Sequence, residues 1–170
     1  MPGDDVPESG RVVRAAPLDV AAWRLPDPDK AALVSRGVPL IDELVEAVSF
    51  RAEATVYRLA TYRIDRPGLT CQYGAVPGTG EVLETWIAGG RSRFVNSSIR
   101  QWLSSLDLVD IWLTTSVAVG RWDEDEEAEE SALAELAVLL ERITALDPAA
   151  YGSGDHWTHF WPAVLDRWLY

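Results

Sequence analysis

The sequence contains almost no cysteine and no long apolar run. Cys71 is the only cysteine in 170 residues, so no internal disulfide can form and nothing requires an oxidising compartment. No stretch approaches the roughly 18 consecutive apolar residues of a membrane helix. The first five residues, Met-Pro-Gly-Asp-Asp, lack the basic and then apolar pattern of a secretion signal. We therefore expect a cytoplasmic protein.

Positive charge is also scarce, above all toward the C-terminus. The chain has 15 Lys and Arg against 27 Asp and Glu, which gives a net charge of −12 at pH 7. Residues 1–120 carry a net charge of −3, and residues 121–170 carry −9. A field of this sign repels nucleic acid and anionic membranes and attracts basic partners. We therefore expect neither nucleic acid nor a membrane as a partner.

Apolar and aromatic side chains, in contrast, are plentiful. The sequence is 48% hydrophobic and contains 8 Trp, which is typical of a globular protein and not of a disordered one. A chain of this length can bury a core without disulfides or metals. We expect a single domain over residues 1–170, in which residues 1–25 form a poorly ordered N-terminal tail.

The first half of the chain predicts one helix followed by strands. Asp27 as N-cap and Pro28 in the first turn favour a helix to about Ser35, and Gly37 would end it. Alternating and β-branched residues then predict five strands, near residues 45–50, 54–62, 69–73, 81–87 and 92–95. Turn signals separate them at residues 65–68, 77–80 and 89–90. Such short connections favour antiparallel pairing.

After Val95 the apolar spacing becomes helical. Ser98 and Gln101 form a possible capping box for a helix that includes residues 111–113. Leu133, Leu136, Leu140 and Ile143 predict the buried face of a second helix. Asp147-Pro148 indicates a turn, and residues 155–170 predict a last helix that restarts or kinks at Pro162. The chain is therefore expected to have an α+β fold, with an antiparallel sheet of about five or six strands flanked by helices and a mainly helical C-terminal half.

The residues that could carry chemistry do not assemble into a site. His156 and His159 could share a helix face with Asp155 or Asp166, but a third metal ligand at standard spacing is lacking. Ser153 lacks the nucleophile-elbow pattern. Cys71 has no CxxC partner and is expected to be a buried structural thiol.

A phosphate-binding loop is not indicated either, because the glycine pair at Gly78 and Gly80 leads into a strand and no Lys-Ser/Thr follows. We therefore expect no catalytic residue, no metal and no cofactor. The sequence predicts a protein that is not an enzyme.

The most conspicuous feature is an acidic run, residues 123–130, in which seven of eight residues are Asp or Glu. One interpretation is a solvated helix start that keeps a Trp-rich protein soluble. The other is a surface that contacts a basic partner. Trp122, directly before the run, is expected to be the most exposed tryptophan and an interface anchor. The second interpretation predicts a partner-binding set: Trp122, Asp123, Glu124, Asp125, Glu126, Glu127, Glu129 and Glu130.

Two segments resemble the SUKH superfamily, and in particular its fourth branch of bacterial immunity proteins. Residues 94–106, Phe-Val-Asn-Ser-Ser-Ile-Arg-Gln-Trp-Leu-Ser-Ser-Leu, are similar to the strand end and helix start of that family. Leu146-Asp147-Pro148, followed by Trp157, Trp161 and Leu165, is similar to its C-terminal part. Residues 1–25 match nothing in the family pattern.

The resemblance implies an antiparallel sheet flanked by helices and no catalytic residues. It also implies a partner, namely a cognate protein toxin of a contact-dependent or polymorphic toxin system, such as a basic nuclease or deaminase domain. An acidic inhibitor suits such a toxin electrostatically. We expect a monomer or a weak homodimer. The alternatives are a non-catalytic regulatory or scaffold module, and an enzyme whose site is built from scattered Asp and Arg.

Overall fold

A five-stranded antiparallel meander forms the centre of the fold. The computed structural model describes residues 11–64, 69–151 and 158–167, so the predicted turn at residues 65–68 lies outside the described residues. The strands pair in chain order, each with the next. They are β3 (Ala47–Ala52), β4 (Tyr57–Arg63), β5 (Thr70–Ala75), β6 (Val82–Trp86) and β7 (Ser92–Asn96). The five strands predicted from the sequence are confirmed, with ends shifted by at most three residues.

A short N-terminal unit precedes the meander. It consists of β1 (Val12–Val13), α1 (Pro17–Ala21), α2 (Asp27–Ser35) and β2 (Val38–Pro39), and β1 pairs with β2 as a separate two-stranded sheet. The prediction for α2 is confirmed except that Pro26, not Asp27, is the N-cap. Gly37 ends this helix with φ of 75°, where an added Cβ would lie 2.7 Å from the Val13 carbonyl oxygen.

The expectation of a poorly ordered tail over residues 1–25 is wrong for residues 11–25. These residues form β1 and α1, and Ala15, Val20 and Trp23 are buried. Trp23 stacks on Tyr57 of β4 with ring centroids 4.5 Å apart. The few apolar residues of this segment therefore contact the core singly. They lack the periodic spacing from which a helix or a strand is predicted. Residues 1–10 lie outside the described part of the chain.

The helical half consists of α3 (Ile99–Thr115), α4 (Glu126–Leu146), one 3-10 turn (Pro148–Ala150) and α5 (Phe160–Arg167). The prediction for α3 is confirmed, including its cap: the Gln101 N–H donates to Ser98 Oγ at 3.2 Å. Pro162 is the third residue of α5, within its first turn, where a backbone N–H has no intrahelical acceptor in any case. The α+β class with a helical C-terminal half is thus confirmed.

The predicted buried face of α4 is only partly right. Leu136 and Ile143 are buried as expected, but Leu133 is 40% exposed. Ala132 and Leu139 take the remaining core positions. The buried residues at 132, 136, 139 and 143 follow spacings of four, three and four, and the predicted Leu140 lies at the edge of this face, where it is half-buried.

Aromatic side chains join the sheet to the helices on one face. Tyr73 of β5 lies 5.1 Å from Trp102 of α3 and 5.5 Å from Phe160 of α5, measured between ring centroids. Tyr62 of β4 stacks on the same Tyr73 at 5.4 Å. Burial of such large rings is the main favourable contribution to this part of the core.

A buried polar junction ties the end of β7 to three helices. Asp147, which is 1% exposed, accepts hydrogen bonds from the Ser97 N–H at 2.7 Å, the Ser97 hydroxyl at 2.8 Å and the Asn96 amide at 3.1 Å. The other amide atom of Asn96, its Oδ1, accepts from the Trp161 indole N–H at 3.0 Å. Asn96 also donates to Ser105 Oγ of α3 at 3.3 Å. The residues that carry the sequence resemblance therefore meet in space.

Removal of the Asn96 side chain should destabilise the protein strongly. Asn96→Ala leaves the Trp161 indole N–H and part of the Asp147 carboxylate without partners in the core, which should lower the free energy of unfolding by about 3 kcal/mol. Urea unfolding followed by circular dichroism measures this. Ser49→Ala, on the exposed side of β3, is the control and should change stability by less than about 0.5 kcal/mol. An Asn96 variant as stable as the control would contradict the role of the junction.

The thiol of Cys71 is fully buried on β5, as the sequence predicts. Burial, and after it the negative charge of Glu84, raises the pKa of this thiol to about 11. The group is therefore protonated throughout the physiological pH range.

Native protein should accordingly resist alkylation. At pH 8 iodoacetamide should label Cys71 at least about 100-fold more slowly than a free thiol, since only the thiolate reacts. Labelling should become fast in denaturing urea, and mass spectrometry follows it. Cys71→Ala is the blank for side reactions. Rapid labelling of the folded protein would show that the thiol is accessible and ionised.

Candidate functional site

The acidic run lies in the connection between α3 and α4 and in the first turns of α4. Asp125 is the N-cap of α4, and its Oδ1 accepts the Ala128 N–H at 2.8 Å. Glu126, Glu127 and Glu129 follow in the first turn, where carboxylates favour the positive end of the helix dipole. The sequence prediction of an acidic helix start is confirmed.

Helical geometry distributes the acids of the run around α4. Since an α-helix has about 3.6 residues per turn, contiguous residues do not share one face. Among the predicted partner-binding residues, Asp125 and Glu127 line a cavity of about 420 Å³ between α4 and the loop at Val117–Arg121. Glu135, two turns further along α4, also lines this cavity. The structure thus brings two of the predicted acids together with a third that the sequence analysis missed.

Glu135 holds the loop against the helix. Its Oε2 accepts the Trp112 indole N–H at 2.9 Å and the hydroxyl of Ser116. The Ser116 hydroxyl oxygen in turn accepts the Val119 N–H at 3.1 Å. These bonds fix the end of α3, the loop and α4 relative to one another, so the wall of the cavity is preorganised.

A second cavity adjoins the first along the same flank of α4. It has a volume of about 320 Å³ and is lined mainly by apolar side chains, among them Trp112, Ala134 and Val138. Glu135 belongs to both cavities, and Arg142 lies at the far end. Val138 is 55% exposed although it is a large aliphatic residue. We call the two adjoining cavities the α4 groove, which is acidic at the start of the helix and apolar beyond Glu135.

The groove could have been found from the helical period alone. Residues 127, 131, 135, 138 and 142 recur at spacings of three or four, which places them on one stripe of a helix. The acidic run predicts a binding role only for its own residues. Glu135 and Val138 lie outside the run and were therefore not predicted.

Trp122 does not have the exposure that was expected. It is half-buried and packs against the core, whereas Trp86 is the tryptophan with large exposure within the described residues. The neighbouring Arg121 is engaged as well, since its guanidinium pairs with Glu124 at 2.7 Å. The prediction that Trp122 is the most exposed tryptophan is wrong, because its side chain packs against the hydrophobic core, whereas Trp86 is 39% exposed.

Of the two histidines, the structure describes only His159. Its ring lies 6.2 Å from that of Phe94, and its Nδ1 is 2.9 Å from the Thr158 hydroxyl. His156, Asp155, Ser153, the last tryptophan Trp168 and the side chain of Asp166 lie outside the described residues. In the part of the chain that is described, no three His, Cys, Asp or Glu side chains are grouped so that they could hold a metal ion. No helix there is long and apolar enough to cross a membrane.

The cap at Asp125 gives a direct test of how the acidic end of the groove is built. Asp125→Ala should lower the free energy of unfolding by about 1 kcal/mol, whereas Asp125→Asn should retain most of it because the amide oxygen still accepts the Ala128 N–H. Chemical unfolding of both variants measures the difference. Glu126→Ala, which removes the adjacent charge and no cap, is the control. Equal losses for Ala and Asn at position 125 would mean that charge, and not capping, supports the helix.

Comparison with known proteins identifies a family that matches the chain. The family model described as SUKH-4 immunity protein matches residues 4–167. No curated protein and no solved structure matches the chain. The match covers nearly the whole sequence, including the buried junction at Asn96 and Asp147 and the entire α4 groove. It also includes residues 4–25, so the interpretation that residues 1–25 match nothing in the family pattern is wrong for those residues. The chain therefore belongs to the SUKH-4 immunity protein family.

Proposed function

We propose that this chain is an immunity protein that binds a cognate protein toxin of a bacterial polymorphic or contact-dependent toxin system and blocks it without catalysis. The observation that carries the proposal is the family match over residues 4–167. An inhibitor of this kind acts by occupying a surface of the toxin, so it needs a recognition surface and no reactive group. The cytoplasm is the compartment in which we expect the two proteins to meet.

The α4 groove and the acidic run are the surface that we assign to toxin binding. The proposed residues are Trp122, Asp123, Glu124, Asp125, Glu126, Glu127, Glu129 and Glu130. Asp125 and Glu127 supply charge to the wall of the groove, and the other acids extend the negative field around the start of α4. A nuclease or deaminase toxin is basic around its active cleft, and opposite potentials accelerate association and align the two proteins.

The apolar half of the groove would supply the affinity that exposed charges do not. An exposed ion pair contributes about 0–1 kcal/mol, because water and salt screen it. Val138 and the edge of Trp112, in contrast, offer apolar area beside the acids. Interfaces with a central apolar contact and a charged rim have this composition. In the proposed complex the acids therefore govern the association rate, and the apolar cavity governs how long the complex persists.

The test uses the toxin encoded next to the gene of this chain. Co-expression should restore growth of cells that produce the toxin, and the two proteins should co-elute from a sizing column. A variant that neutralises four acids should associate with the toxin about tenfold more slowly at low salt, and the salt dependence of its association rate should be flatter. The changes are Asp123→Asn, Asp125→Asn, Glu126→Gln and Glu127→Gln. The Asn at position 125 keeps the helix cap.

A matched control removes the same amount of charge elsewhere. Its four changes are Asp19→Asn, Asp42→Asn, Glu81→Gln and Glu141→Gln. Equal slowing by both variants, measured by surface plasmon resonance, would place the interface away from the acidic run. Absence of both growth rescue and complex formation with the wild-type chain would overturn the proposed function for this pair.

A further inference from the structure

A third cavity lies at the hairpin that connects β6 and β7, away from the α4 groove. It has a volume of about 390 Å³, and the described residues that line it are Trp86, Gly89, Gly90, Arg91 and Arg93. This volume is within the range of about 300–1,000 Å³ that is usual for binding pockets. None of these five residues lines either cavity of the α4 groove.

The end of the sheet explains why large apolar side chains are exposed here. Trp86 is the last residue of β6 and lies opposite Cys71 of β5, on the face that the helices cover further along the strands. At the strand end this cover stops, so Trp86 is 39% exposed and the following Ile87 is 49% exposed. Gly89 and Gly90 then turn the chain with φ of 85° and 146°, which other residues rarely adopt. The turn leaves one side of the Trp86 ring open.

Arg93 is fixed in the wall of this cavity by a buried carboxylate. Its Nε and Nη2 both lie 2.6 Å from Glu84 Oε2, and Glu84 is 1% exposed. The hydroxyl of Tyr62 donates to the other carboxylate oxygen of Glu84. The guanidinium carbon of Arg93 lies 5.6 Å from the centre of the Phe160 ring, which further restrains it. Because a guanidinium has five N–H donors, the pair with Glu84 leaves donors available to a bound group.

Among the described residues that line the cavity, Arg91 is the one whose charge is not offset. The charge of Arg93 is offset by Glu84, whereas Arg91 is exposed in the turn beside Trp86. The described lining is therefore apolar and positively charged, on a chain whose net charge is −12. Carboxylates bind arginine with two parallel hydrogen bonds, and Trp and Arg are the residues most enriched at the energetic centres of protein interfaces.

We propose that this cavity docks a segment of a partner protein that places a large apolar side chain against Trp86 and an adjacent carboxylate against Arg91 and Arg93. Charge complementarity favours an acidic group, and the apolar surface of Trp86 favours a large apolar side chain next to that group. A polyanion such as nucleic acid is disfavoured, because the field of the whole chain repels it. The site goes beyond the proposed toxin contact, since its charge is opposite to that of the α4 groove.

Short peptides test this proposal without any toxin. The probe is an end-blocked pentapeptide, Gly-Gly-Phe-Asp-Gly, titrated into the isotopically labelled full chain and followed by the nuclear magnetic resonance signals of the Trp86 indole N–H and the Gly89 and Gly90 amides. These signals should shift in a saturable way. Replacement of Asp by Lys, or of Phe by Gly, in the peptide should weaken binding at least tenfold.

Variants of the protein separate a specific site from general charge attraction. Arg91→Glu, in an exposed turn where folding is unaffected, should weaken peptide binding at least tenfold, and Trp86→Ala should do the same. Arg51→Glu, an equal charge change on the exposed edge strand β3, should leave it unchanged. The proposal is overturned if the three signals do not shift at millimolar peptide, if the Lys peptide binds equally well, or if Arg91→Glu and Arg51→Glu behave alike. None of these outcomes bears on toxin binding through the α4 groove.

Discussion

The carboxylate of Asp147 reaches from the end of α4 to the end of β7, and the arrangement of the C-terminal helices depends on this contact. A buried carboxylate is costly unless it is fully hydrogen-bonded, and here Ser97 and Asn96 supply three donors. The Asn96 side chain is also hydrogen-bonded to α5, through the Trp161 indole N–H, and to α3, through Ser105. Each partner would be left unsatisfied in the core if a helix moved, so the junction selects one arrangement where apolar packing alone would tolerate several.

This junction has a consequence for the α4 groove at the other end of the helix. The C-terminal end of α4 is held by Asp147, and the middle of the helix is held by Glu135, which accepts hydrogen bonds from Trp112 and Ser116. Two polar attachments therefore define the helix axis, and the flank of α4 that forms the α4 groove contains exposed residues. That flank carries the acids of Asp125 and Glu127 and the exposed Val138. An open surface on a well-fixed helix loses little entropy on binding, which suits a protein that works by occupying a partner.

Local signals in the sequence were sufficient to predict those elements in which a side chain acts on its own stretch of backbone. The five strands of the meander, the Ser98 cap and the acidic start of α4 all follow from alternation, turn residues and capping chemistry. Local signals did not predict the features that depend on packing between residues distant in the sequence. Residues 11–25 have no periodicity and are ordered by contacts such as that of Trp23 with Tyr57, and Trp122 is half-buried because it packs against the core. The Asn-Ser-Ser and Asp-Pro segments indicated caps and turns, but the sequence does not show that they touch, because 50 residues separate Ser97 from Asp147.

The two proposed surfaces differ in the range over which they act. The acids near the start of α4 add to the net charge of −12, and their field extends over about one Debye length, 8–10 Å at physiological salt, so it acts before contact. Among the described residues that line the hairpin cavity, Arg91 carries the one uncompensated positive charge. It lies within this negative field, so it attracts a carboxylate only at short range. Binding at the hairpin must therefore rely on the apolar contact with Trp86, and its rate should depend little on salt. A chain with both surfaces can engage a basic and an acidic partner segment at once, because a groove and a cavity of opposite sign do not compete for the same ligand.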